Sequence, residues 1–162
     1  MENIISVRDL GFDYGDGWVF HKLNLDVPEG DFVAVIGANG AGKSTLMKML
    51  AHALPPTMGN IFYYGIPIEK FDQWEKIGYV AQNPAKMQRD FPISVREVIA
   101  LGLIQKNKLW QRFGSEEDEK IEKVLETFQL KDLEHRKIGE LSGGQQQRVF
   151  LARAMVKEPK IL

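Results

Sequence analysis

Cysteine is missing from the chain altogether, which rules out disulfides and thiolate metal sites and suits a reducing, cytosolic compartment. No apolar run approaches the ~18–20 residues that a membrane-crossing helix needs. The opening residues Met1-Glu2-Asn3-Ile4-Ile5 lack the basic and apolar regions of a signal peptide, so any role at a membrane is expected through a partner. Histidines number only three, and His21, His52 and His135 show no metal-ligand spacing; they read as surface or packing residues. Charge of one sign is also scarce. A formal net charge of −1 with acids and bases intermixed leaves no electrostatic footprint for nucleic acid or anionic lipid. No internal repeat or low-complexity tract is present. The composition is that of a soluble globular protein, and 162 residues suffice for one domain with an embedded subdomain.

What is there is concentrated in residues 37–45, Gly37-Ala38-Asn39-Gly40-Ala41-Gly42-Lys43-Ser44-Thr45. The pattern G-x-x-x-x-G-K-S is that of a phosphate loop. Gly37, Gly40 and Gly42 are expected to take positive φ and let the backbone approach a ligand closely. The loop N–H groups and the following helix N-terminus converge on phosphate oxygens. Lys43 reaches the terminal phosphates, and the Ser44 hydroxyl is placed to ligate Mg²⁺. The motif needs a strand before it and a helix after it. Asp31-Phe32-Val33-Ala34-Val35-Ile36 reads as a strand buried on both faces; Leu46, Met47, Met49 and Leu50 suit a helix that ends before Pro55-Pro56.

Around this motif the spacing predicts a mixed α/β chain. Ile5, Val7 and Leu10 to Phe12, then Leu23, Leu25 and Val27, read as antiparallel strands separated by the turn cluster Tyr14-Gly15-Asp16-Gly17. Asn60 to Tyr64 and Ile66 to Ile68 flank Gly65 as further strands, and Lys76 to Val80 as another. Beyond Phe91 the pattern turns helical. Ser94-Val95-Arg96-Glu97 is a capping-box sequence, Ser115-Glu116-Glu117-Asp118 a similar acidic start. Ile121, Val124, Leu125 and Phe128 fall on one helix face.

A second motif opens the last helix. In Leu141-Ser142-Gly143-Gly144-Gln145 the hydroxyl and close-approach backbone N–H groups at the positive helix end form another anion site. Alone, Ser-Gly-Gly is also a simple helix cap. With a phosphate loop upstream, the chain holds two phosphate-seeking sites, and a dimer sandwiching two nucleotides would use both.

This pairing resembles the ATP-binding-cassette family, whose signature is Leu-Ser-Gly-Gly-Gln, with similarity from Ile4 to Leu162. The resemblance implies a P-loop NTPase core, a mixed sheet with an N-terminal antiparallel β-subdomain, joined to an α-helical subdomain. It divides the chain into a nucleotide-binding core at 1–89, a helical subdomain at 90–141, and the signature helix with the start of an acidic strand at 142–162. It implies ATP and Mg²⁺ as ligands, with residues 37–45 on the phosphates, Ser44 and Gln82 on the metal, Lys43 and Gln82 in catalysis, and Tyr14 stacked on adenine. Ser142, Gly143, Gly144 and Gln145 would act on the nucleotide of a second copy. The helical subdomain would dock a transmembrane permease and hold the protein at the inner face of the cell membrane. A solute-binding protein would take part indirectly, and nucleic acid would not.

Residues 90–99 with Leu101-Gly102 resemble a stretch of importers of zinc, manganese, iron chelates and cobalamin, implying metal-ion or metal-chelate import. Ile161-Leu162 resemble the opening of the strand that carries the family's Mg²⁺-binding Asp and catalytic Glu. The resemblance thus implies a chain truncated before those acids and before the switch His, with the C-terminal part of the core missing. The parent protein would be a transport-coupled ATPase, and this chain alone nearly inactive. Two alternatives stay open: a soluble cassette ATPase acting on DNA or the ribosome, and a fragment that binds nucleotide without hydrolysing it.

Overall fold

The computed structural model of the chain describes residues 3–81, 92–104 and 114–162. It divides into two compact units, Met1–Asp72 and Gln73–Leu162.

The first unit is built on a four-stranded antiparallel sheet in the order β2-β1-β3-β4. β1 (Asn3–Asp13) and β2 (Trp18–Pro28) form the long hairpin; β3 (Met58–Tyr63) and β4 (Ile66–Pro67) complete the sheet. β1 lies centrally, with Val7 opposite both Leu25 and Ile61. Tyr64 and Gly65 take φ of 51° and 74° between the paired residues Tyr63 and Ile66, a two-residue turn whose twist matches its strands. The β1–β2 ladder slips register near Leu10, where the Asn24 side chain accepts from the Asp9 backbone N–H at 3.0 Å. Such a bulge bends and twists the ribbon. The helix α1 (Lys43–Leu50) buries Thr45, Leu46 and Met49, the i, i+1, i+4 stripe of an amphipathic helix. The Tyr63 phenol donates to the Leu50 carbonyl at its end, and burial pushes that phenol up.

Two strands expected from apolar runs are not formed as such. Residues 31–36 carry no strand pairing, and Phe32 and Ile36 are 95% and 91% exposed. A strand buried on both faces draws its backbone hydrogen bonds from neighbours, and none among the described residues pairs with this run. Of residues 76–80, only Ile77 takes part in pairing, a parallel bridge to Ile161. The Gly78 N–H donates to the Ile161 carbonyl at 2.8 Å, and the Ile161 N–H to the Lys76 carbonyl at 3.0 Å.

The second unit packs α2 (Val95–Ala100), α3 (Ser115–Thr127) and α4 (Gly143–Met155) around Val95, Val98, Ile99, Ile121, Leu125 and Val149, all at most 2% exposed. Ile121, Val124 and Leu125 are buried and Phe128 half-buried, as the spacing predicts. The Ser94 box forms: the Glu97 N–H donates to Ser94 Oγ at 3.2 Å, and the Ser94 N–H to Glu97 Oε2 at 2.7 Å. α3 starts one residue earlier than a Ser115 cap would place it. Gly114 is the cap, its N–H donating to Glu117 Oε2 at 2.9 Å, because a carboxylate three residues along supplies the acceptor whatever the cap side chain.

Arg96 ties α2 to α3. Its guanidinium reaches Glu122 at 2.6 Å, Glu134 at 2.9 Å and Asp118 at 3.0 Å, while Lys131 also pairs with Glu122 and Glu134. Lys131 and Arg96 hold the Glu122 carboxyl below the usual range. Burial pushes Glu134 the other way, yet Lys131 and Arg96 outweigh it and leave that carboxyl lowered too. After α2, a Cβ on Gly102 would stand 2.3 Å from the Arg153 carbonyl oxygen of α4. Only glycine lets the two backbones approach that closely.

Candidate functional site

The loop before α1 is shaped by two left-handed glycines, Gly40 at φ 84° and Gly42 at φ 81°. Gly42 caps α1, and no side chain bonds the first turn there. A Cβ on Gly42 would meet Val19 Cγ1 at 2.6 Å and Phe20 Cδ1 at 2.8 Å, so glycine also lets the loop rest on β2. Gly37 departs from expectation. Its φ lies outside the left-handed region, and a Cβ there would meet only Ala41 Cβ, at 3.4 Å. That is ordinary van der Waals contact, so neither backbone handedness nor crowding requires glycine at this position.

The Ala41 N–H donates to the Ala38 carbonyl at 3.2 Å, closing a tight turn. Lys43 folds back across that turn, its Nζ donating to the Gly37 and Ala38 carbonyls at 2.7 Å each. The ammonium is thus held over the loop by two carbonyls rather than by a carboxylate, which leaves its charge uncompensated for an anion. Asn39 and Gly40 form the exposed crest. Ser44 is exposed in the first turn and Thr45 is buried beside it.

Tyr14 stands against this turn. Its phenol lies 3.2 Å from Thr45 Oγ1, and its ring meets Phe12 edge-to-face at 4.7 Å and 79°. The ring is 63% exposed. Asp13, which sequence reasoning passed over, organises the turn carrying it: Asp13 Oδ1 accepts from the Gly15 N–H at 2.6 Å and the Gly17 N–H at 3.1 Å. The signal was an aspartate directly before a Tyr-Gly-Asp-Gly turn, a residue type that bonds backbone N–H groups a few positions on. Trp18, half exposed, opens β2 and meets the His21 ring at 6.0 Å.

In the second unit Ser142 caps α4. The Gln145 N–H donates to Ser142 Oγ at 3.4 Å, and the Ser142 N–H to Gln145 Oε1 at 2.8 Å. This is a capping box, so the helix-cap reading of Ser-Gly-Gly is realised, with Gln145 closing it from the Ser-x-x-Gln spacing. Gly143 and Gly144 are exposed, with open space where a Cβ would be. Gln146 secures the turn from below, donating to the Ile138 and Leu141 carbonyls at 3.0 and 3.2 Å.

Gln82 lies outside the described residues. No cluster of three or more His, Asp or Glu side chains that could hold a metal occurs among the described residues. Magnesium demands little of a protein beside a polyphosphate: it keeps several waters and takes one or two protein oxygens plus phosphate. The exposed Ser44 hydroxyl at the start of α1 fits that requirement.

Comparison with known proteins gives a consistent set of likenesses. The family model described as ABC transporter matches residues 20–162. The chain is 39% identical over 162 residues to the zinc uptake system ATP-binding protein ZurA of Listeria innocua, covering all of this chain and 63% of that protein. It is 37% identical over 163 residues to the high-affinity zinc uptake system ATP-binding protein ZnuC of Bacillus subtilis, covering 99% and 68%. The solved structure of a nucleotide-free ATP-binding cassette from an ABC transporter superposes with a TM-score of 0.82 at 28% identity, over 98% of this chain and 67% of that one. The chain thus spans about two thirds of the length of each of these proteins.

Proposed function

We propose, from the premise that this chain belongs to the ABC transporter family, that it is the nucleotide-binding part of an ATP-driven importer of a metal ion or metal chelate. The observation that carries the reading is the loop at 37–45: left-handed Gly40 and Gly42, a helix start with no side-chain cap, and Lys43 poised above two carbonyls. Backbone N–H groups there receive phosphate oxygens at the positive end of α1. Lys43 exchanges its carbonyl partners for the terminal phosphates of ATP. Ser44, with Gln82 as the second protein partner, would hold Mg²⁺, which when bound would supply positive charge beside the phosphates. Tyr14 offers its open ring to the base, and stacking of this kind tolerates any base.

The Ser142–Gln145 corner serves the nucleotide of a second copy. Its exposed Gly143 and Gly144 suit close approach by a phosphate tail. Two cassettes closing on two ATP molecules would then pull on a permease, and hydrolysis with product release would reset them. No described helix is long and apolar enough to cross a membrane. In this reading the partner at the membrane is a permease, with the cassette on the cytoplasmic face. The zinc-uptake names of its relatives support a metal cargo. Phosphoryl transfer to water needs positioning, charge stabilisation and a residue that orients the nucleophile, and Lys43, Ser44 and Gln82 supply only part of that. These 162 residues alone are therefore expected to bind MgATP and to turn it over feebly.

Calorimetric titration of the purified chain with MgATP tests the binding core, alongside a phosphate-release assay. Saturable binding with turnover far below the 1–10³ s⁻¹ of typical enzymes is the expected pair of results. Absence of binding removes the reading. Co-purification from cells then separates transport from the alternative: a membrane permease supports import, whereas ribosomes or DNA support a soluble cassette ATPase.

A further inference from the structure

An exposed aromatic ring makes a poor platform if it is free to turn, because binding must then freeze its rotamers. Tyr14 is 63% exposed, yet it is restrained from three sides. Asp13 gathers the Gly15 and Gly17 N–H groups onto one carboxylate oxygen, at 2.6 and 3.1 Å, and so fixes the turn beneath the ring. That turn needs glycine at both positions, with φ of 107° and 121°. The Asp13 N–H itself donates to Thr57 Oγ1 at 3.1 Å, which anchors the end of β1. Phe12 meets the ring at 79°, and the phenol bonds Thr45 Oγ1 at 3.2 Å at the start of α1. The ring is thereby pinned at its root by a turn and at its tip by the phosphate-loop helix, with much of its surface left to solvent.

We infer that Asp13 is a positioning residue for the nucleotide base, and that the Tyr14 hydroxyl acts as a tether to Thr45, so that the ring meets the base already oriented. The inference rests on the nucleotide reading above and adds a division of labour within it. Asp13 and the phenol serve the base end of the ligand, Lys43 and Ser44 the phosphate end. Tyr14→Phe keeps the aromatic face and removes only the tether. Asp13→Ala opens the turn, while Asp13→Asn retains the Oδ1 acceptor that both N–H groups use.

Titration of the purified chain with MgATP and, separately, with magnesium tripolyphosphate, which has no base, decides the matter. Tyr14→Phe and Asp13→Ala are expected to weaken MgATP about three- to tenfold, the worth of one restraining hydrogen bond. Tripolyphosphate affinity should stay at the wild-type value, and Asp13→Asn should restore MgATP affinity. Unchanged MgATP affinity in Tyr14→Phe, or a loss shared equally by tripolyphosphate, overturns the inference. Should Asp13→Ala lose its fold by circular dichroism, Tyr14→Phe decides alone. A wild-type chain that binds neither ligand instead defeats the nucleotide reading itself.

Discussion

At the start of α1 the cap is Gly42, left-handed, with no side chain bonding the first turn. At the start of α4 the cap is Ser142, whose hydroxyl and backbone are closed in a reciprocal box with Gln145. Both corners are built from small residues at the positive end of a helix. One has no side chain bonded to its first-turn N–H groups and holds a lysine over the turn before it; the other satisfies part of its own need internally. The difference teaches that two glycine-rich corners with similar letters can have opposite dependence on glycine. Gly42 has φ 81° and β2 side chains within 3 Å of a would-be Cβ, whereas Gly144 has ordinary helical backbone and open space.

Four measurements break or sharpen that contrast. Lys43→Ala is expected to weaken MgATP binding about 100-fold or more, the loss of charge-assisted bonds to the terminal phosphates, as read by calorimetry. Unchanged affinity would mean that the loop is not the site. Gly42→Ala is expected to destabilise the chain by about 2–4 kcal/mol, through left-handed strain added to crowding against Val19 and Phe20; urea denaturation measures it. A neutral result would erase the distinction between the corners.

The third measurement concerns the ion-pair network that ties α2 to α3. Glu122 and Glu134 are held below the usual carboxylate range by Lys131 and Arg96. Their folded forms bind fewer protons than the unfolded chain, so their stabilisation is present above the unfolded value of about 4.3 and is lost as pH falls through the depressed folded values. Arg96→Ala is expected to cost about 1 kcal/mol at neutral pH, and the gap from wild type should close in acid. A gap that persists at pH 2 would assign the loss to packing of the Arg96 stem. The smallest effect is expected for Gly144→Ala, a gain of about 0.5 kcal/mol from helix propensity. In the proposed function the same change weakens ATP-driven pairing of two copies, visible by analytical ultracentrifugation. Stability and pairing falling together would remove the corner's special role.

How far the fold was legible follows from how local each feature is. Residues 37–45, the Ser94–Glu97 box and the Ile121–Phe128 stripe are fixed by neighbours within a few positions, and their spacing carries them. The strand at 31–36 is apolar enough to be recognised, but a strand exists only through its pairing partners, and no partner is encoded within the run. The Arg96 network joins residues 22, 26 and 38 positions apart, distances at which spacing says nothing. At the candidate site, the motif singles out Lys43 and Ser44 by spacing. Asp13 was not, because its role depends on one carboxylate oxygen meeting two N–H groups of a turn whose shape the letters only suggest.

Trp18 has an optical consequence. The chain holds three tryptophans, and only Trp18 belongs to the unit Met1–Asp72. It is half exposed, edge-on to an imidazole, and adjoins Val19, the residue on which Gly42 rests. With Trp74 and Trp110 replaced by phenylalanine, the remaining indole emission would come from one point beside the loop. The protein thus carries its own lamp beside the glycine-rich loop.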